Sequence, residues 1–178
     1  MDHDHYADNY IRDLLDEVKT IAVVGASANA ARPSFFVVRY LAQKGYDVYP
    51  VNPGHAGKQI AGCMTYASLG AVPVAIDMVD IFRNSEAALG VVQDALALQP
   101  LPKAIWMQLG VRNDEAAALA QEHGIKIVMN RCPKIEFGRL SGEIGWVGVN
   151  SRVLSSKRAT LHGKGFQQLG LASRRDKP

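Results

Sequence analysis

The residues whose types and spacing suit chemistry gather behind two apolar runs. The first run, TIAVVG (20–25), leads into Gly25-Ala26-Ser27-Ala28-Asn29-Ala30-Ala31-Arg32-Pro33-Ser34. Small side chains let backbone N–H groups approach an anion, and Pro33 suits the first turn of a helix opening beside them. A helix start favours a bound negative charge by roughly 0.3–1 kcal/mol, so this loop predicts a phosphate-bearing ligand. The second run, YDVYPV (46–51), ends in Asn52-Pro53-Gly54-His55, with Lys58 shortly after. Asn52 can hydrogen-bond a sugar or base without charge, and Pro53 stiffens the turn. Arg32, His55 and Lys58 can bring positive charge to a phosphate. The alternative for Asn52-Pro53-Gly54 and Lys58 is a plain turn and a surface charge.

The loop departs from a dinucleotide fingerprint. G-x-G-x-x-G becomes Gly25-x-Ser27-x-x-Ala30, and no carboxylate follows the second run to meet ribose hydroxyls. Catalytic signals are sparse. None of His3, His5, His55, His123 and His162 lies in a G-x-S-x-G, H-E-x-x-H or Cys/His setting. The Asp-His-Asp-His start is read as a frayed terminus rather than a metal trap. Cys63 and Cys132 show no ligand spacing, which argues for reduced thiols and against a zinc site. Cys132 follows Arg131, whose charge can activate a thiol; the alternative is a packed, inert one. Asp80 ends an apolar run, where it acts either as a base or as an acceptor for loop hydrogen bonds. Trp106 and Trp146 read as packing, and Tyr6 and Tyr10 as helix-surface or staple residues.

These residues need a scaffold, and the chain supplies five strand-like runs: 20–25, 46–51, 74–80, 103–109 and 125–130. Each is nearly continuously apolar, as strands buried on both faces of a parallel sheet must be. Helical patterns fill the gaps, which predicts right-handed βαβ units. Ile11, Leu14, Leu15 and Val18 make an amphipathic stripe before the first strand. Gly45 ends the helix that Pro33 begins. Asn84 or Ser85 caps a helix with Leu89, Val92 and Leu96 on its apolar face, and Asn113 caps one that stops at Gly124.

The 178 residues, 48 % apolar and 21 % charged, fit one globular domain with a short appendage. No apolar run approaches the roughly 18 residues of a membrane span, and the polar start lacks a signal-peptide core, so a cytoplasmic protein is expected. Residues 1–138 carry 12 Lys or Arg and 15 Asp or Glu, whereas residues 139–178 carry eight and two. The basic tail reads as a solvated extension, with nucleic-acid contact disfavoured by its few aromatics. The expected division is 1–140 and 141–178.

Together, IAVVGAS, Arg32-Pro33-Ser34, YPVNPG, VDIFRNSE, WMQLGV and NRCPKIE resemble the coenzyme A-binding protein family, over about residues 8–140. That family is similar to the CoA-binding domain of the succinyl-CoA synthetase alpha subunit, here standing alone. The resemblance implies a Rossmann-like α/β/α fold with a mainly parallel sheet ordered 3-2-1-4-5-6, its third strand a short edge near 59–62. It implies coenzyme A or an acyl-CoA as ligand. Carried over by position, the site residues are Gly25, Ala26, Ser27, Asn29, Arg32, Ser34, Asn52, Pro53, His55, Lys58, Asp80, Phe82, Arg83, Met107, Gln108 and Leu109. The synthetase's lysine after the Asn-Pro turn is replaced by His55, so that phosphate contact there is weaker or passes to Lys58. Phe82 would pack on adenine or ribose and Arg83 meet phosphate; the alternatives are a core side chain and a helix-start residue. A CoA thiol near Cys132 would permit disulfide exchange. The synthetase's phosphohistidine chemistry needs a further domain and is not implied. Two rival readings are an NAD(P)-dependent oxidoreductase with an atypical loop and an interaction module using the basic tail.

Overall fold

The computed structural model describes residues 2–142. The chain divides into two units, residues 1–134 and 135–178, and the first holds every described strand. Apart from residues 141 and 142, the expected basic extension, with Trp146 and His162, lies outside the described residues.

A stripe of Ile11, Leu14 and Leu15 is buried on α1 (Asp8–Glu17), and Val18, just past the helix, is buried with them. Three βαβ units then follow. β1 is Thr20–Val24, α2 Pro33–Gln43 and β2 Asp47–Val51. β5 is Met78–Ile81, α3 Ser85–Leu96, β6 Ala104–Met107, α4 Asp114–Glu122 and β7 Lys126–Val128. Pro33 occupies the first turn of α2, and Gly45 leaves it with φ +93°. Asn84 and Asn113 accept from the N–H groups of Ala87 and Ala116, which settles the choice between Asn84 and Ser85 as cap. α5 (Pro133–Leu140) carries an internal Arg139–Glu136 pair at 2.7 Å.

The five strands run parallel in the order β2-β1-β5-β6-β7. The strand order reverses between β1 and β5. Right-handed crossovers on either side of that point put α2 on one face and α3 and α4 on the other. Ala22, Val79, Ile81, Ile105, Met107 and Ile127 point toward α3 and α4, packing on Ala88, Val92, Ala95, Ala116, Ala117 and Ala120. By strand alternation Ile21, Val23, Met78, Trp106 and Val128 take the other face. The Rossmann-like class is as expected.

The strand order requires a correction. Gln59–Ile60 does form a short strand, β3, but it does not join the main sheet as a third member. It folds back on β4 (Cys63–Met64) through Ala61 and Gly62, both at positive φ (51° and 88°), as a two-residue hairpin turn demands. The place beside β2 shrinks to one parallel bridge, Val51 to Tyr66, where Asn52 N–H donates to Tyr66 O (2.8 Å) and Tyr66 N–H to Pro50 O (2.9 Å). Pro53, Gly54, Gly57 and Gly62 punctuate this stretch too densely for a strand–helix unit. The run at 74–80 is also shorter as a strand than its apolarity suggests: Val74 and Ala75 are exposed, and pairing starts at Met78.

Two anchors hold the ends of the sheet. Burial opposes ionisation of Asp77, but Lys103 Nζ (2.9 Å) and the N–H groups of Lys19 (2.8 Å) and Thr20 (3.1 Å) outweigh it and bring its carboxyl down to about 2. At the sheet edge, Met129 N–H donates to the Tyr6 hydroxyl (2.8 Å) and the Tyr10 hydroxyl donates to Ile127 O (3.1 Å). Both tyrosines thus occupy main-chain groups of the edge strand instead of decorating a helix surface.

Candidate functional site

In an open α/β sheet the ligand crevice lies beyond the strand C-termini where the order reverses, here the tips of β1 and β5. Gly25 leaves β1 with φ +86°, a conformation L side chains rarely adopt. A Cβ there would stand 2.9 Å from Phe82 O and 3.1 Å from Arg83 Cδ. Gly25 is therefore required by close approach of the loop after β5, which is itself fastened by Phe82 N–H to Val24 O (2.8 Å).

The loop after Gly25 divides its amides into two sets. Ser27 N–H donates to Ser34 Oγ (3.1 Å), Asn29 N–H to Ser27 Oγ (3.2 Å), Ala31 N–H to Asn29 Oδ1 (2.9 Å) and Arg32 N–H to Asn29 O (3.0 Å). The N–H groups of Ala26, Ala28, Ala30 and Ser34 have no acceptor among the described residues; Ala26 and Ser34 are buried, and Ala28 and Ala30 are exposed. The polar side chains of Ser27, Asn29 and Ser34 are thus spent on holding the loop, and backbone donors at the start of α2 are left for an anion. Arg32 is the exposed N-cap residue of that helix. Asn52 plays the same bracing part: its Nδ2 donates to Ala26 O (2.7 Å) while its Oδ1 accepts from Gly54 N–H (2.9 Å).

A groove of about 370 Å³ adjoins the loop. Gly25, Asn52, Pro53 and Arg83 line its mouth, Ala67–Leu69 one wall, and Ala87, Gly90, Val91 and Asp94 of α3 the other. A second hollow of about 430 Å³, between residues 72–76 and 97–100, lies at the opposite, N-terminal ends of the strands, away from the loop amides. The groove is the better candidate because Gly25, where the donor-bearing loop begins, lines it.

The expected residues do not all converge. Gly25, Asn52, Pro53 and Arg83 meet at the groove, with Ala26, Ser27, Asn29, Arg32 and Ser34 in the adjoining loop. His55 ends a short 3-10 turn and Lys58 follows it, neither lining the groove. Phe82 is half-buried, Leu109 is 58 % exposed beyond β6, and Met107 is fully buried in the core, where its side chain is closed to any ligand. Asp80 is also fully buried, and it accepts hydrogen bonds from the side chain of Gln108, the first residue past β6. Both its oxygens accept from Gln108 Nε2 (2.9 and 3.0 Å). Burial pushes its carboxyl up to about 8, and the Gln108 contacts offset only part of that. Cys132 is buried, and burial raises the Cys63 thiol. Among the described residues no group of three His, Cys, Asp or Glu could hold a metal ion.

Sequence reasoning missed the walls of the groove, Ala67–Leu69 and the α3 face. One signal was present. Gly90 sits inside a helix, where glycine costs about 1 kcal/mol relative to alanine, and a Cβ at Gly90 would meet nothing within 4 Å. No protein contact demands that glycine, and with Ala87, Val91 and Asp94 it shares the groove face.

Known proteins share this fold. A family model described as a CoA binding domain matches residues 19–138. The uncharacterized protein YneT of Bacillus subtilis (strain 168) is 34 % identical over 125 residues, spanning 70 % of this chain and 90 % of that protein. The structure of cell-free ID.343 from Thermus thermophilus is 38 % identical with a TM-score of 0.71, covering 76 % of this chain and 99 % of that one. An apo acetyl-coenzyme A synthetase 1 from Ca. Korarchaeum cryptofilum aligns at 25 % identity and a TM-score of 0.53, over 63 % of this chain and 26 % of its own. The match spans the strands, the loop and the groove walls alike, and the chain belongs to the CoA binding domain family.

Proposed function

We propose that this chain binds coenzyme A, with the pyrophosphate at the loop between β1 and α2 and the adenosine in the groove beside α3. The observation that carries the reading is the pair of exposed N–H groups on Ala28 and Ala30, unpartnered among the described residues, in the loop that leaves β1 at the reversal point of the sheet. Backbone donors at a helix start bind phosphate without a fixed side chain. Arg32 and Arg83 add positive charge from either side, and His55 and Lys58 offer it to a further phosphate. Ser27, Asn29, Ser34 and Asn52 act by holding those donors in place. Leu109 and Phe82, at the tips of β6 and β5, supply apolar surface for the pantetheine arm.

Titration calorimetry and thermal unfolding with CoA, dephospho-CoA and NADP test this. CoA at about 100 times its Kd should stabilise the fold by about 2.7 kcal/mol, and dephospho-CoA should bind more weakly. Stabilisation by a nicotinamide cofactor with none by CoA overturns the reading. Native mass spectrometry of freshly purified protein should show a CoA-sized adduct.

A further inference from the structure

Apart from Arg83, the one charged residue lining the groove is Asp94, and the two stand at opposite ends. Arg83 precedes α3 beside the loop amides, whereas Asp94 lies seven residues beyond Ala87 on the same helix face, about 10 Å along the axis at 1.5 Å per residue. The cleft is therefore polarised, with cationic and N–H donors at its mouth and a carboxylate acceptor at its foot.

Asp94 is also badly placed for the helix alone. It occupies the last turn of α3, which contains no basic residue. There the negative end of the helix disfavours a carboxylate. Among the described residues no cation or hydrogen-bond donor pairs with its side chain, and Asp94 is exposed, so the carboxylate is accessible to a ligand. Between it and the mouth, Gly90, beside Val91, contributes no side chain to the cleft. Open space, a graded polarity and an accessible acceptor suit one ligand feature, a hydrogen-bond-donating base edge.

We propose that Asp94 reads the base, accepting from the exocyclic 6-amino group of adenine, and so determines which nucleotide the groove takes. The inference rests on the coenzyme A reading above and deepens it.

The test compares CoA with 1,N6-etheno-CoA, whose fused ring removes the amino donor, on the full chain and its Asp94→Ala and Asp94→Asn variants. A hydrogen bond to a charged group corresponds to about 10- to 100-fold in affinity. The wild-type chain should prefer CoA by at least about tenfold. Asp94→Ala should lose that preference by weakening CoA alone, and Asp94→Asn, which keeps an acceptor oxygen, should retain most of it. The thermal midpoint of Asp94→Ala should not fall, since an unfavourable helix-end charge is removed; a variant that binds poorly because it is unfolded would show itself there. Equal preference for CoA in the wild type and Asp94→Ala overturns the role of Asp94 while leaving CoA binding intact. A wild-type chain that binds neither compound overturns the function itself.

Discussion

Gly25→Ala is the sharpest perturbation of the loop that this fold offers. Two separable costs arise. A side chain at φ +86° carries about 1–2 kcal/mol of backbone strain. Its Cβ would also stand 2.9 Å from Phe82 O and 3.1 Å from Phe82 C, main-chain atoms that the Phe82–Val24 hydrogen bond (2.8 Å) keeps from retreating. Overpacking of this kind adds about 1–3 kcal/mol, so the total is about 2–5 kcal/mol. Gly45→Ala is the internal control: its φ is +93° but nothing lies within 4 Å of the new Cβ. It should lose only the strain, about 1–2 kcal/mol. Urea unfolding of both variants measures the difference, with slopes compared to confirm that only stability has changed. Calorimetry should then show CoA affinity reduced in Gly25→Ala, where the Phe82–Arg83 segment is displaced, and unchanged in Gly45→Ala. Equal destabilisation of the two variants would refute the close-approach argument, and unimpaired CoA binding by Gly25→Ala would refute the placement of the phosphate site.

Gly90→Ala should stabilise the fold by about 0.8–1 kcal/mol through helix propensity, raising the thermal midpoint by about 2–4 °C, whereas Gly90→Phe should weaken CoA at least about tenfold; a Phe variant that binds normally would remove the groove from consideration. Asp77 has its carboxyl held at about 2, below the usual value, so its contribution is complete above about pH 4 and is lost as pH falls toward 2. After allowance for solvent screening this is about 1–2 kcal/mol, and Asp77→Asn should flatten the acid limb of a stability profile by that amount. Asp80 has the opposite sign: its raised folded value means its contribution is present below about pH 4 and declines as pH rises toward 8. Asp80→Asn should therefore gain on the wild type steadily between pH 4 and 8 in chemical denaturation, and a constant difference across that range would contradict the burial of an ionisable carboxyl.

The elements that depend on neighbouring residues were legible along the chain. Asn84 and Asn113 cap the helices whose starts they mark, Pro33 and Gly45 bound α2, and the five apolar runs each contain a strand. The loop that opens α2 was legible for the same reason, since small residues before a proline-initiated helix are a local pattern. What could not be read was how the loop divides its work. Ser27, Asn29 and Ser34 look like ligands in one dimension, and only their mutual distances reveal that they brace one another. Met107 and Leu109 are two residues apart, yet one is sealed in the core and the other exposed at a strand tip.

The amino-acid order by itself determined the α/β class and the small-residue turn that opens α2, because each rests on periodicity and spacing within a few tens of residues, and six ordered motifs carried the family resemblance. The tertiary structure decided that residues 59–64 close on themselves as a hairpin, that Asp80 meets the side chain of Gln108, and that Ala67–Leu69 and the Gly90–Asp94 face enclose a groove with Gly25. Those outcomes depend on which strands become neighbours and which side chains then compete for the same space, a contest among residues distant in the chain that no local pattern encodes.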